Sequence, residues 1–348
     1  MLVILLLLVT ACTSKTEETT TSTIAVPATT TTTRPAVLTG VGIEDGTITL
    51  AALLPLTGTL ESFGRSALEG HEVYWAYVND TLGGVGGSYV VEVLPLDTGY
   101  DEEAARSLWA ANETETLAVS SVLGSPITAA VLEEVGNDPV PLAAGSQAAG
   151  WSNSPNIVLD LAIPTYRDQI AGAIVAGGTE EPVLPTDPPL GLIYQIGAFG
   201  DDCAAGFDQA TDRLAPGEAV SAGHAAGTTD FADLLGLMRG AGVDTLFVCS
   251  STQALLRIVA TLDLIDYSPT VVASSQSYDA SIPAALGDQA GEEAGLELLS
   301  DLYLVGSLPS FEGGSPGMKL LRDNFTSYYS RLPEDVINPW FFLGYTCL

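Results

Sequence analysis

Residues 47–87 read TITLAALLPLTGTLESFGRSALEGHEVYWAYVNDTLGGVGG, and this stretch decides the fold class. Ile48 to Leu54 is a short, nearly continuous apolar run that stops at Pro55, the pattern of a strand buried on both faces. A loop of small residues, Leu56-Thr57-Gly58-Thr59, follows, and a helix is predicted to begin near Phe63. In that helix Phe63, Ala67, Gly70 and Tyr74 recur at three- and four-residue steps, with Arg65, Glu69 and Glu72 on the other side. His71 falls on the polar side and is expected to be solvated. Strand, loop and helix form half of a βαβ unit. The loop lies at the strand's carboxyl end, where open α/β sheets bind small ligands.

The glycines at the end of the stretch, Gly83-Gly84-Val85-Gly86-Gly87, do not form a phosphate loop. Such loops follow a strand and open a helix. This cluster follows a helix and precedes the predicted strand Tyr89–Leu96, so it reads as a helix-ending turn.

Working outward, the alternation continues along 348 residues, a length that predicts two lobes. Further strands are expected at Leu117–Val122, Val140–Ala144 and Ile157–Leu161, with helices from Asp101 and Pro126 between them. After a helix at Tyr166–Ala176 a second series begins, with strands at Gly191–Ile196, Ala219–His224, Thr245–Cys249 and Thr270–Ala273. Its helices are read at Asp202–Leu214, Asp230–Ala241 and Thr252–Asp263. Leu296–Leu299 reads as another short strand, Pro316–Leu332 as a long helix, and Trp340–Leu348 as the first turns of a helix that is cut off, as in a C-terminal truncation. The fold class is therefore α/β, with two Rossmann-like lobes.

Eleven Lys and Arg against 43 Asp and Glu give a formal charge of −32, which excludes a phosphate-neutralising nucleic-acid face. The acidity reads as a solvated surface, and no acidic cluster has metal-loop spacing. No metal and no cofactor is expected. Gly313-Gly314-Ser315-Pro316-Gly317 fits G-x-S-x-G but lacks the preceding strand that a nucleophile elbow needs. The two histidines, His71 and His224, have no catalytic partner visible in sequence, and no Cys or His spacing points to zinc.

The chain opens MLVILLLLVTAC. Leu2–Val9 is too short to span a bilayer but suits the core of a signal peptide. Val9-Thr10-Ala11-Cys12 resembles the lipobox of bacterial lipoproteins, which makes Cys12 the expected lipidation site. The Thr-rich segment that follows is too polar to fold and reads as a flexible tether. The expected organisation is a signal peptide at 1–11, a tether at 12–46, a first lobe from 47–162 plus 301–348, and a second lobe from 163–300.

Several of these motifs together resemble the leucine/branched-chain amino-acid binding proteins, the type I periplasmic-binding fold that serves ABC importers. They are PLTG followed by Gly64, VNDTLGGVGG, the strand ending at Asp97, Gly124-Ser125-Pro126-Ile127-Thr128, Phe199-Gly200 and DFADLLGLMRGAGVDTLFV. The resemblance covers most of 47–348 and implies two hinged lobes of flavodoxin strand order, crossing near 160–165 and 298–303, with a ligand in the cleft between them. It implies ligand contacts from Thr57, Phe63, Gly124, Ser125, Gly145, Ser146 and Gln147 in the first lobe. From the second it implies Phe199, Ser251, Gln276 and Tyr278. Ser125 and Ser146 would grip a carboxylate. The family's acidic partner for the ligand ammonium is replaced by Ser275 and Gln276, with Asp279 following, so the implied ligand is an amide, a short organic acid or an aromatic acid rather than leucine. The flavodoxin order would also bring Cys203 and Cys249 together, either bonded or as two buried thiols. The implied role is a lipoprotein on the outer side of the cytoplasmic membrane, at the cell surface or in the periplasm, that delivers a solute to ABC permease and ATPase subunits. A sensor of the same fold is the alternative, and an enzyme a distant one.

Overall fold

The computed structural model describes residues 39–136, 140–156, 158–159, 164–177, 189–214, 219–279, 281–287, 292–306, 313–330 and 338–346. The expected signal peptide, Cys12 and most of the tether lie outside these residues, as does Cys347.

The first sheet contains β1 (Ile43–Glu44), β2 (Thr47–Leu54), β3 (Val90–Asp97), β4 (Ala118–Val122), β5 (Leu142–Ala144) and β6 (Val158–Leu159). Its parallel part runs β3-β2-β4-β5-β6, the flavodoxin order, and β1 is a short antiparallel addition to the start of β2. Strand pairing thus begins at Ile43, inside the segment read as tether. Leu50 to Leu54 are all buried, because helices cover both faces of β2. Leu50, Ala52 and Leu54 face α1 (Glu61–Ala76). Ala51 and Leu53 face α2 (Glu102–Asn112) and α3 (Ser125–Val135).

The second sheet is wholly parallel, with order β8-β7-β9-β10-β11, which repeats the first sheet's connectivity. Its strands are β7 (Leu190–Gln195), β8 (Ala219–His224), β9 (Thr245–Cys249), β10 (Thr270–Ser274) and β11 (Leu302–Val305). On one face α4 (Tyr166–Gly177) and α5 (Ala198–Leu214) cover Leu190, Leu192, Phe247 and Val272. On the other, α6 (Ala232–Gly240) and α7 (Thr252–Leu264) cover Ile193, Leu246, Val248 and Ala273. Beyond β10 come two short helices, α8 (Ile282–Gly287) and α9 (Glu292–Leu298).

Three expectations are corrected. Leu296–Leu299 is not a strand: the chain through Leu298 is α9, and the strand comes at Leu302–Val305. That strand pairs with β10, so the second sheet reaches past the expected boundary at 300. His71 is fully buried rather than solvated. α1 is covered on a second side as well, where α10 (Pro316–Tyr329) and α11 (Pro339–Thr346) return to pack on Val73 and Tyr74. The α1–α11 contact is almost backbone to backbone, since a Cβ at Gly70 would overlap the Phe341 carbonyl and one at Gly344 the Ala67 carbonyl. With the sheet on one side and α11 on another, α1 buries a wider arc than its apolar period indicates.

Candidate ligand-binding cleft

The carboxyl ends of both sheets open onto one cleft with a volume of ≈ 340 Å³, within the range of small-molecule sites. Its first-sheet wall comes from the loops after β2, β3 and β4, and its second-sheet wall from β7 and the loops after β8, β9 and β10. Among the described residues, no Asp, Glu, Lys or Arg lines it.

The apolar part centres on Phe63 from α1 and Trp340 from α11, whose rings stack with centroids 4.6 Å apart and planes 18° apart. Leu60 and Leu123 adjoin them in the lining. Opposite, Tyr166 and Phe199 meet edge to face at 4.7 Å. Tyr100 completes this rim in a left-handed conformation (φ 63°) that a bulky residue adopts at a cost of roughly 1–2 kcal/mol. Its N–H donates to Thr98 Oγ1 at 3.2 Å. Its ring fills the space that a side chain at Gly124 (φ 103°) would need. Burial, with Tyr166 and Glu102 nearby, pushes the Tyr100 phenol up to about 12, so it stays neutral.

The polar groups divide into those already partnered and those left open. Ser125 and Ser146 share a 2.6 Å hydrogen bond. The buried Tyr166 hydroxyl also bonds to both serines and to the Gln147 backbone; burial raises its phenol, and these bonds partly offset the rise. Gln276 Oε1 accepts from Ser274 at 2.6 Å and Ser275 at 3.3 Å. His224 Nδ1 lies 2.9 Å from the Ala225 carbonyl, which can only accept, so Nδ1 carries the proton. In the neutral ring Nε2 therefore accepts from Ser250 Oγ at 2.7 Å. Burial lowers the His224 pKa, against a smaller opposing effect of the Ala225 bond. In contrast, Thr252 Oγ1 in the first turn of α7 and Trp340 Nε1 are both buried and have no hydrogen-bond partner among the described residues.

Of the residues the sequence pointed to, Phe63, Gly124, Ser125, Phe199, Ser251 and Gln276 line the cleft together. Ser146 sits directly behind Ser125. Thr57 instead builds the loop beside the cleft: its hydroxyl donates to Asp97 Oδ2 at 2.8 Å, and its N–H and that of Leu56 donate to Oδ1. Burial pushes the Asp97 carboxyl up, but bonds from Gly99, Thr57 and Leu56 outweigh this and leave it below the usual range. Gly145 is packed against the Val122 carbonyl and Leu343. Gln147 accepts from Gln169 Nε2 at 2.5 Å and lines a separate cavity of ≈ 140 Å³ with Trp151 and Leu159. Tyr278 packs against the core of the second sheet.

Sequence reasoning missed Tyr100, Tyr166, Ser250, Thr252 and Trp340 as lining residues. For Ser250 and Thr252 a signal existed, because they flank Ser251 in the loop after an expected strand. For Trp340 none did, since only the return of α11 onto α1 places it there. At the rim, Asp279 accepts from the Ser281 N–H at 2.8 Å and lies 3.5 Å from Ser62 Oγ across the cleft. Behind the cleft a disulfide joins Cys203 of α5 to Cys249 at the end of β9, with their Cα atoms 6.4 Å apart. Among the described residues, no group of three or more His, Cys, Asp or Glu could hold a metal, and no helix is long and apolar enough to cross a membrane.

Two sheets of one connectivity sharing a cleft at their carboxyl ends agree with a sequence match: the periplasmic binding protein family matches residues 47–339. The chain belongs to that family. Among solved structures, this family member is similar to a fatty acid ABC transporter substrate-binding protein from Thermomonospora curvata, with 21% identity and a TM-score of 0.75 over 89% of this chain and 75% of that one. It is also similar to the leucine-binding protein LivK of Thermotoga maritima, with 16% identity and a TM-score of 0.67 over 86% and 80%. A third likeness is to the branched-chain amino acid transporter substrate-binding protein LivJ of Streptococcus pneumoniae, solved with isoleucine, with 18% identity and a TM-score of 0.63 over 86% and 81%. At these identities the likenesses establish the type I fold. No curated protein gives a significant match.

Proposed function

We propose that this periplasmic binding protein is the extracytoplasmic solute receptor of an ABC importer. It captures a small carboxylate- or amide-bearing molecule between its two sheets and presents it to the permease. The observation that carries this reading is the cleft itself, an uncharged cavity with aromatic walls to which six of the expected contact residues contribute. The neighbours support it: one was solved with isoleucine and another is named for fatty acids, and both ligands are carboxylates. Lipid attachment through Cys12 and the tether belongs to the same proposal, as does the assignment of the returning helices α10 and α11 to the first lobe.

Thermal unfolding of the chain with and without candidate solutes tests the proposal. A solute at a hundred times its Kd raises stability by about 2.7 kcal/mol, which is several degrees for a chain of this size. If no carboxylate or amide shifts the transition, the import reading is wrong.

A further inference from the structure

We propose that Tyr100 is a specificity-determining residue of the cleft: its ring is the wall that limits the size of the ligand's polar head, and its hydroxyl is a direct partner of that head. This rests on the solute-binding reading, in which the loops after β4 and β5 take the head.

The backbone singles the residue out first. Residues Thr98 to Asp101 form a turn closed by the Asp101 N–H, which donates to the Thr98 carbonyl at 2.9 Å. Both central residues have positive φ, 54° at Gly99 and 63° at Tyr100. Gly, Asn and Asp suit such a turn, and an aromatic residue there is strained. The other non-glycine residues with positive φ among the described residues are Asp45, Asp266 and Ser330, all small and polar, and none lines the cleft. Strain of this kind persists only where the surroundings hold it, and it collects at ligand sites.

Here the surroundings do hold it. Asp97 Oδ1 accepts from the Gly99 N–H at 3.0 Å as well as from Leu56 and Thr57. Asp101 caps α2 by accepting from the Ala104 N–H at 2.8 Å. The turn is tied to the loop after β2 on one side and to α2 on the other, so it presents the Tyr100 ring from a fixed base.

Gly124 shows where that ring points. A β-carbon at Gly124 would overlap the ring's Cε2 and lie 3.1 Å from the phenol oxygen, and both residues line the cleft. The ring therefore covers the residue just before Ser125. Tyr100 is 38% exposed, and its hydroxyl has no hydrogen-bond partner among the described residues. With a pKa of about 12 it stays neutral, so it can donate to a carboxylate or a carbonyl and accept from an amide N–H. Ser125, Ser146 and Tyr166 already bond to one another, and Tyr100 adds an open hydroxyl beside them. A head at the serines then meets the ring as its outer limit. A carboxylate or primary amide fits, and a head enlarged by one methyl group runs into the ring.

Calorimetry on the full chain tests this with 3-phenylpropanoate, 3-phenylpropanamide and N-methyl-3-phenylpropanamide, and with the same three derivatives of 4-methylpentanoic acid. The wild-type protein is expected to bind the acid or primary amide about tenfold or more tighter than the N-methyl amide. Tyr100→Phe keeps the ring and removes the hydroxyl, and should weaken the best acid or amide by about three- to tenfold. Tyr100→Gly suits the positive φ, so it should keep the native unfolding temperature while its discrimination against the N-methyl amide falls below about threefold. If the wild type accepts the N-methyl amide equally well, or Tyr100→Gly discriminates as before, the wall does not exist and the inference fails while the solute-binding reading stands. A lowered unfolding temperature in Tyr100→Gly, with all affinities reduced alike, makes the ring structural and overturns the inference too. Unchanged affinity in Tyr100→Phe removes the hydroxyl from the site. If no member of the panel binds the wild type, the solute-binding reading fails and takes the inference with it.

Discussion

At the ends of β4 and β5, Ser125 and Ser146 are bonded to each other and to Tyr166. At the ends of β9 and β10, Ser250 is bonded to His224, Gln276 to two serines, and Ser251 to the Ala254 N–H. Both edges are built by the same device, a strand that hands over to a helix through a short hydroxyl-rich loop whose hydroxyls already have partners within the protein. The two sheets are also secured differently. The second carries the Cys203–Cys249 disulfide directly behind its cleft loops. The first has no cross-link among the described residues and relies on α1 packing on the sheet and on α11, and His71 of α1 is buried with no hydrogen-bond partner among the described residues.

The contrast in how the sheets are secured can be broken first by removing the disulfide. It spans 46 residues, a loop for which chain entropy predicts about 4 kcal/mol of stabilisation. Guanidinium unfolding of the Cys203→Ala/Cys249→Ala variant is expected to lose several kcal/mol, confined to the transition of the second sheet. A loss under about 1 kcal/mol would mean that packing alone secures both sheets.

The next effect belongs to the first sheet. Burial lowers the His71 pKa from 6.5 to about 4, and neither ring nitrogen has a hydrogen-bond partner among the described residues. The folded protein therefore holds the ring neutral while the unfolded chain binds a proton below pH 6.5. Stability from this group is complete above pH 6.5 and is lost as the pH falls to about 4, by about 3 kcal/mol. Denaturation curves between pH 4 and 7 should show this slope, and a His71→Leu variant should flatten it. A wild-type slope that survives in the variant would place its origin elsewhere.

The smallest effect sharpens the contrast between the two cleft edges. A neutral hydrogen bond contributes about 0.5–1.5 kcal/mol, so the two serine hydroxyls at the first edge would set a modest share of the affinity. Ser125→Ala/Ser146→Ala should therefore weaken the best-binding solute by about tenfold in calorimetry. Unchanged affinity would move the binding head to the second sheet.

Much of this molecule was legible in its residues. The buried run Ile48–Leu54, its loop and its helix established the parallel sheet, and the alternation after it established the second. The loops that meet at the cleft followed from strand ends. What stayed hidden came from contacts distant in sequence. The apolar period of α1 describes one covered face, and nothing in residues 61–76 announces that α11 covers another or that the polar His71 is buried. Glu292–Leu298 mixes leucine with acids over seven residues, too short for its period to separate helix from strand. Whether Ser125 faces a ligand or a tyrosine depends on Tyr166, which sits on a different lobe's helix and some forty residues away.

The seam between α1 and α11 has a consequence for how the protein evolves. Phe63 and Trp340 meet because Gly70 and Gly344 let two helices touch, and a single methyl group at either glycine would push the helices apart. Ligand preference is then heritable through positions that no ligand ever meets. Lineages can drift from one solute to another by exchanging small residues at the buried seam between α1 and α11, leaving every cleft side chain as it was.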